Sequence, residues 1–243
     1  MIDTHCHIDL YPNPKEIAHL CANNNVVVIA MTNLPSHFEM GLPHVKSFKN
    51  IRFSLGLHPQ YANRHQQEYQ IFKNNIQKTS YIGEIGLDFS KEFVQTKDLQ
   101  IKYFKQILHE IAGLKKILNL HSRKAEKEVY DYLKEYNIRC AIFHWYSGPL
   151  QLIDTIANSG YFFSINLKMF QSQSGKNIIR RIPQDNILTE TDGPFTSNFG
   201  RISKPTDVQY MYKPLSEIWE VSELEAKEII DRNFKRLIKS LIN

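Results

Sequence analysis

The sequence predicts an α/β fold of the (β/α)8 TIM barrel class. Eight short apolar runs, rich in β-branched residues, recur along the 243 residues, and each interval between them is long enough for the crossover helix that parallel strands require. One barrel domain commonly has this length, so we expect a single domain over residues 1–243. The alternative is a doubly wound open sheet, but no Gly-x-Gly-x-x-Gly follows the first run, where that fold would bind a dinucleotide.

Predicted strands and helices alternate along the chain. Asn13, Pro14 and Glu16 indicate a helix start with an N-cap, a first-turn proline and an acidic residue. Thr96 is expected to cap a longer helix, because apolar residues follow it at helical spacing. Further helices are predicted over residues 125–136, from Gly148 to about Gly160, and after a capping box at residues 222–225. The predicted strands cover residues 1–7, 26–31, 51–57, 81–87, 117–121, 140–144, 161–166 and 186–191.

Composition restricts the class of protein. The net charge of +5 suits a polyanionic substrate without requiring one, since no basic tail stands out. Three cysteines without paired spacing favour a reducing compartment. The N-terminus lacks the pattern of a signal peptide, and no apolar run approaches ~18 residues. We therefore expect a cytoplasmic protein without a membrane span.

Two histidines near the N-terminus are the first candidates for chemistry. On a strand, His5 and His7 share one face while Cys6 points to the other. Imidazole is the commonest protein ligand for a transition metal, so this pair indicates half of a metal site. Taken alone, the pair is explained equally well as two surface histidines in a frayed terminus.

More potential ligands lie where predicted strands end, which is where a barrel has its active site. His121 and His144 each close an apolar run, a position more typical of a packed histidine, and Asp192 alone would be a turn residue. Glu84 is more informative, because a carboxylate inside an apolar strand needs a cation and its flanking glycines allow close approach. The full set of predicted metal ligands is His5, His7, Glu84, His121, His144 and Asp192.

Six ligands exceed the four of one tetrahedral zinc. They fit two divalent metal ions (Mg, Mn or Zn) with Glu84 as the bridge, the arrangement that clamps an in-line displacement. Asp192 and Glu84 are the predicted catalytic residues, with Asp192 accepting a proton from water. His58 and Arg123 are candidates for phosphate binding. A rim salt bridge or a helix cap explains His58 and Arg123 equally well.

Several blocks of this chain resemble the TatD family of metal-dependent deoxyribonucleases. The resemblance implies an amidohydrolase-type TIM barrel that hydrolyses DNA phosphodiester bonds, often as a 3′-to-5′ exonuclease with single-stranded DNA preferred, and it implies the same six metal ligands. The blocks occur in the family's order and are Asp3-Thr4-His5-Cys6-His7-Ile8-Asp9, Gly83-Glu84-Ile85-Gly86-Leu87-Asp88, His121-Ser122-Arg123, Phe143-His144 followed by Ser147-Gly148, and Glu190-Thr191-Asp192-Gly193-Pro194-Phe195.

The chain departs from the family pattern after His144, where Trp145 and Tyr146 replace the usual Cys-Phe. These larger aromatics could stack a base, with Trp145 as a substrate-binding residue, or could pack under the loop. Residues 31–36 and 144–148 resemble the subgroup of the Qat anti-phage defence systems, which implies partner proteins from a defence operon.

Two other functions stay open at this point. One is an amidohydrolase-type hydrolase of a small amide, lactone or phosphoester. Many such barrels bridge their metals with a carboxylated lysine, where this chain has Glu84. The other is a nucleic-acid-binding subunit with vestigial catalysis, against which the full set of six ligands argues.

Overall fold

The computed structural model describes residues 1–242 and contains every one of the eight predicted strands, each shorter than or equal to its predicted range. All of their ladder pairings are parallel. The strands are β1 (Ile2–Cys6), β2 (Val27–Ala30), β3 (Ile51–Phe53), β4 (Tyr81–Gly86), β5 (Ile117–His121), β6 (Ala141–His144), β7 (Phe162–Ile165) and β8 (Ile187–Thr189).

The ladders form a sheet of three strands, β1-β2-β3, and a sheet of five, β4-β5-β6-β7-β8. The two sheets meet between β3 and β4, where Leu55 and Ile82 form an isolated parallel bridge. The second junction lies between β8 and β1. Together they close the strands into the predicted (β/α)8 barrel of the amidohydrolase type.

Side chains close the junction between β8 and β1. The Thr4 hydroxyl donates to the carbonyl of Thr189 at 3.0 Å, and the backbone N–H of Thr191 donates to the Asp3 carboxylate at 3.0 Å. Just beyond, the N–H of Asp192 donates to the carbonyl of His5 at 2.8 Å. Because Asp3 and Thr4 are fully buried, these bonds form away from water, where an unpaired polar group would be costly.

The helices surround the barrel, and most of the predicted starts are confirmed. Asn13 caps α1 by accepting from the N–H of Glu16 at 3.2 Å, and Ser222 caps α9 by accepting from Glu225 at 3.1 Å. Thr96 precedes α4 as predicted, but its hydroxyl donates to the carbonyl of Phe93 and does not cap the helix. The helices are α1 (Pro14–Asn23), α2 (Pro35–Val45), α3 (His65–Asn75), α4 (Lys97–Ile111), α5 (Glu126–Glu135), α6 (Leu150–Asn158), α7 (Gln173–Arg181), α8 (Tyr212–Trp219) and α9 (Glu223–Lys239). Among residues 1–242, no helix combines the length and the apolar character needed to cross a membrane.

Two layers of side chains fill the inside of the barrel. The lower layer is apolar and joins residues of six strands to Leu237 of α9, which closes the bottom. The upper layer is polar, because side chains two positions further along the same strands face the same way. Asn119 follows Ile117 in this manner, and His144 follows Ile142. The lower layer is Ile29, Met31, Tyr81, Ile117, Cys140, Ile142, Phe162 and Leu188.

A short hairpin follows β8 on the upper side of the barrel. Its strands are β9 (Ser197–Asn198) and β10 (Arg201–Ile202), and the turn residues Phe199 and Gly200 both have positive φ, as two-residue hairpin turns require. Arg201 anchors the hairpin through two hydrogen bonds, 2.8 and 2.7 Å, to the buried carboxylate of Asp207. The sequence reasoning had not predicted this hairpin.

Candidate metal centre

A pocket of about 580 Å³ opens at the carboxyl ends of the strands. The upper polar layer forms its floor, and the loops after the strands form its walls. The lining of the pocket includes all of the predicted substrate-binding residues and four of the predicted metal ligands, which are Glu84, His121, His144 and Asp192. Those predicted substrate-binding residues are His58, Arg123 and Trp145.

Glu84 lies at the centre of this pocket and is 2% exposed. Its Oε2 lies 3.4 Å from Nε2 of His5 and 3.3 Å from Nε2 of His7. Its Oε1 accepts from Nδ1 of His121 at 2.7 Å and lies 3.1 Å from Nε2 of His58. Burial opposes ionisation of Glu84, but the surrounding imidazoles outweigh it and hold the pKa of this carboxyl well below its usual range. Each oxygen of one carboxylate therefore faces its own pair of histidines.

The two flanking glycines give Glu84 this position, as the sequence indicated. A Cβ at Gly83 would lie 2.8 Å from the Cβ of Asn119, and one at Gly86 would overlap with the carbonyl oxygen of His121. Any larger residue would force β4 away from β5. The close approach of these two strands brings Glu84 within hydrogen-bond distance of His121.

A backing hydrogen bond orients His5. The Nδ2 of Asn119 donates to the carbonyl of Thr4 at 2.7 Å, so Oδ1 of Asn119 is the atom that accepts from Nδ1 of His5, also at 2.7 Å. Because this bond occupies Nδ1 of His5, the other ring nitrogen, Nε2, is the one that faces the pocket. Burial disfavours the charged imidazole, but the attraction of Glu84 and other carboxylates outweighs it and raises the pKa of His5 to about 10.

His144 is oriented in the same way by a carboxylate. Its Nδ1 lies 3.1 and 3.0 Å from the two oxygens of Glu190, which also accepts from Ser164 and, at 2.8 Å, from Asn166. Nε2 of His144 then faces the pocket, 3.8 Å from Oε1 of Glu84. Burial lowers the pKa of His144. The ring also stacks on that of His5, with centroids 3.7 Å apart.

His121 is held between two carboxylates. Its Nδ1 donates to Glu84, and its Nε2 lies 2.9 Å from Oδ2 of Asp88. Burial opposes the charge on this ring, but the two carboxylates outweigh it and raise the pKa of His121 to about 9. Asp88 is held in turn by Gln60, whose amide donates at 2.8 Å.

His58 and Arg123, the predicted phosphate-binding residues, occupy different environments. His58 is buried, and its Nδ1 accepts from the N–H of Gln60 at 3.2 Å, which is the helix cap foreseen as an alternative. Arg123 is exposed and lines the pocket. Of these two residues, Arg123 is therefore the one that is exposed to solvent.

Asp192 lies on the wall of the pocket and is 6% exposed. Its Oδ1 is 3.7 Å from Nε2 of His5 and 4.0 Å from Nε2 of His7. Its φ of 52° lies in the left-handed region, which aspartate tolerates better than most residues. Burial raises the pKa of this carboxyl well above its usual range, and Glu190 and Glu84 add to the effect.

The donor atoms fit a metal ion. Nε2 of His5, Nε2 of His7 and Oε2 of Glu84 lie 3.2 to 3.4 Å from one another. Ligands at zinc-like bond lengths of ~2.0–2.1 Å in a tetrahedron are about 3.3–3.4 Å apart. Burial lowers the pKa of His7 to about 4, which keeps this imidazole in the neutral form that binds metals. The triad thus has the spacing of a ligand set. His7 is already neutral, whereas a metal at Nε2 of His5 would replace the proton that the attraction of Glu84 holds on this ring.

The six predicted ligands therefore converge on one pocket, and their backing partners are what the sequence reasoning missed. Asn119 precedes His121 by two positions on β5, and Glu190, directly after β8, precedes Asp192 by two positions. In the sequence, the signal for both backing residues is that each lies two positions before a predicted metal ligand. Asp88 is part of the segment of residues 83–88 that resembles the family. Its contact with His121 depends on how the two strands lie in the fold, and no spacing in the sequence indicates it.

The two aromatic residues after His144 have separate roles. Tyr146 is buried, donates from its hydroxyl to the carbonyl of Pro149 at 2.8 Å, and packs on Phe163. Trp145 is 36% exposed at the pocket mouth, with a φ of 39° that is unusual for a bulky residue. Only Trp145 of this pair is available to a ligand.

Comparisons with known proteins agree with this geometry. A sequence model of the family described as "TatD related DNase" matches residues 2–239. An uncharacterised metal-dependent hydrolase of Methanocaldococcus jannaschii is 27% identical over 98% of this chain and 96% of that protein. The human deoxyribonuclease TATDN3 is 22% identical over 99% of this chain and 95% of its own.

A solved structure shows the same fold. YJJV, a TatD homologue from Escherichia coli K12, superposes with a TM-score of 0.87 at 23% identity and covers 98% of this chain and 97% of that one. The family match extends over nearly the whole sequence and includes every residue of the pocket described above. The chain therefore belongs to the TatD-related DNase family of metal-dependent hydrolases.

Proposed function

We propose that this protein is a deoxyribonuclease that hydrolyses DNA phosphodiester bonds with two divalent metal ions. The observation that carries the proposal is the position of Glu84, whose two carboxylate oxygens face separate sets of imidazoles inside an open pocket. A carboxylate so surrounded suits a bridge between two ions. The names of relatives such as human deoxyribonuclease TATDN3 support DNA as the substrate.

The donor atoms divide naturally between two ions. By the oxygen of Glu84 that they face, we assign His5 and His7, with Asp192 beside them, to one ion on Oε2, and His121 and His144 to the other on Oε1. His58 also groups with Glu84 and His121 as a possible ligand, and His144 with His5 and Asp192. Four imidazoles favour Zn²⁺ over Mg²⁺ and Mn²⁺, which suit oxygen ligands better. Bound there, the two ions would supply positive charge for the phosphate and acidify a water molecule.

We assign Asp192 as the residue that accepts a proton from the attacking water. The water oxygen attacks phosphorus while the carboxylate of Asp192 accepts one of the water's protons. The bond from phosphorus to the leaving oxygen breaks, and this oxygen takes the bonding electron pair and then a proton from solvent to become a hydroxyl group. The position of Asp192 favours this step, because the carboxylate lines the pocket with Oδ1 3.7 Å from Nε2 of His5. The positive charge of bound ions would offset the burial that raises the pKa of this carboxyl and favours its protonated form. Glu84, whose pKa is held low, stays ionised throughout.

The shape of the pocket supports single-stranded DNA as the substrate and an exonuclease mode. The pocket is closed below by the interior layers, so a flexible strand end can enter where a rigid duplex cannot follow. The 3′-to-5′ polarity rests on the family resemblance. A role in anti-phage defence, with partner proteins, rests on residues 31–36 and 144–148, and the three free buried cysteines support a reducing, cytoplasmic location.

The test uses purified protein with end-labelled single- and double-stranded DNA and RNA, in Mg²⁺, Mn²⁺ or Zn²⁺ and after chelation. We expect metal-dependent shortening of single-stranded DNA from its 3′ end, lost on chelation and restored by added metal. Metal-dependent binding without turnover would instead identify a binding subunit. Hydrolysis of a cyclic amide or lactone with no cleavage of oligonucleotides would contradict the nuclease assignment.

A further inference from the structure

Three exposed aromatic side chains line a pocket whose floor is polar, and two of them, Trp145 and Phe195, adjoin proposed metal ligands. The third, Tyr61, is 38% exposed and lies edge-on to His58, with ring centroids 6.1 Å apart. Trp145 is 36% exposed and Phe195 is 61% exposed, and both line the pocket. Large exposed rings at a site commonly mark contact with a ligand. Phe195 is neither a proposed metal ligand nor part of the proposed proton transfer.

The two rings adjoin different sides of the centre. The ring of Phe195 packs edge-on against that of His7, with centroids 5.0 Å apart. The ring of Trp145 is edge-on to His144 at 6.2 Å. His7 faces Oε2 of Glu84 and His144 faces Oε1, so the rings are placed beside the two halves of the carboxylate.

Both rings are mounted on rigid backbone. Trp145 directly follows His144, and its N–H donates to the carbonyl of Ser164 at 3.2 Å. Phe195 lies in a turn that Thr196 holds, with its N–H donating to Asp192 at 3.2 Å and its hydroxyl to Thr191 at 2.7 Å. The rings therefore keep a fixed position relative to the reacting groups, which lowers the cost of ordering them on binding.

Resting on the proposed nuclease function, we propose that Phe195 and Trp145 stack the two bases that flank the scissile phosphate. The substrate is then a strand unpaired on both sides of the cleaved bond. Stacking on a ring is sequence-tolerant, because every base has a π-face. A duplex cannot offer its bases in this way, since each already stacks on its neighbours and pairs with the opposite strand.

The surroundings favour a nucleic acid over a protein partner. The rings are separated by a polar pocket rich in histidine, and they do not form the continuous apolar core of a protein interface. Arg123 lines the same pocket and supplies a positive charge for the phosphate between the two bases.

The test is binding of a short single strand that carries 2-aminopurine beside a non-hydrolysable linkage, measured with metal-loaded protein. Stacking quenches 2-aminopurine. We expect Phe195→Ala and Trp145→Ala each to weaken binding by roughly 5- to 100-fold and to relieve quenching on one side of the linkage only. Phe195→Tyr should retain both signals. Phe199→Ala is the matched control, because Phe199 is 68% exposed but does not line the pocket.

The outcomes separate this inference from the nuclease proposal. If the parent protein cleaves single strands while Phe195→Ala binds and quenches as the parent does, the stacking role is overturned and the nuclease function stands. A parent that binds the strand without cleaving it still permits the stacking measurement, and a parent that neither binds nor cleaves refutes both.

Discussion

The two sides of Glu84 differ in what stands behind their histidines. On the Oε2 side, His5 is backed by the neutral amide of Asn119, and Nδ1 of His7 has no partner among residues 1–242. On the Oε1 side, carboxylates back the two proposed ligands, Asp88 behind His121 and Glu190 behind His144. His58 also faces Oε1, but its Nδ1 accepts from the N–H of Gln60 and it is not assigned as a ligand. A carboxylate makes an imidazole a more basic ligand. The two metal positions that we propose would therefore be chemically unequal, although they would share Glu84.

The largest effect is expected from the shared residue. Glu84→Gln replaces one bridging oxygen by an amide NH2 and removes the negative charge that both sides use. We expect the purified variant to lose both metal equivalents, and its cleavage rate to fall at least as far as the ~10²–10⁴-fold of a lost proton acceptor. Metal analysis and circular dichroism check this. Two retained metal equivalents would mean that Glu84 is not the bridge.

Asp192→Asn should affect the rate more than the metal. The variant keeps the side-chain size and one oxygen but removes the basic group, so we expect kcat on DNA to fall by ~10²–10⁴-fold. Metal content and DNA binding should largely persist. This outcome would separate the proton acceptor from the ligands of the Oε2 side. Cleavage at the parent rate with saturating metal would reassign the proton to another group.

Asp88→Asn tests directly whether the two proposed metal positions differ in affinity. The substitution removes the charge behind His121 while keeping a hydrogen-bond acceptor, so affinity for one metal ion should fall by about 10–100-fold and affinity for the other should not change. Titration calorimetry on metal-stripped protein measures the two affinities. Asp131→Asn, in an exposed pair with Lys127 on α5, is the matched control. Equal weakening of both ions would refute the division of the site into two sides.

Trp145→Ala should have the smallest effect on chemistry. Its ring lies at the mouth on the Oε1 side and contacts no oxygen of Glu84, so metal content and kcat should stay close to the parent values. The KM for single-stranded DNA should rise, the pattern of lost uniform binding. Steady-state kinetics check this. A large fall in kcat at unchanged KM would assign the ring to the chemical step.

The strands and the convergence of the ligands were predictable for a physical reason. Buried parallel strands must be apolar along their whole length, so a histidine or carboxylate at the end of such a run, as at Glu84 or His121, stands out. The backing partners were harder to predict. Asn119 is uncharged, and the link from Glu190 to His144 joins residues 46 positions apart, a distance that only the closed barrel shortens. The hairpin at residues 197–202 has strands of two residues each, too short to produce a pattern.

The junction between β8 and β1 also determines when this centre can exist. Its hydrogen bonds join residues 185 and 188 positions apart, so the first and last strands meet only after nearly the whole barrel has been synthesised. At ~5–20 residues per second, His5 and His7 leave the ribosome roughly 10–40 s before Asp192. During that interval the nascent chain lacks a complete centre. A product truncated before residue 192 would likewise lack the proposed proton acceptor, so on our proposal the complete centre is available to the cell only in a chain that extends past its eighth strand to Asp192.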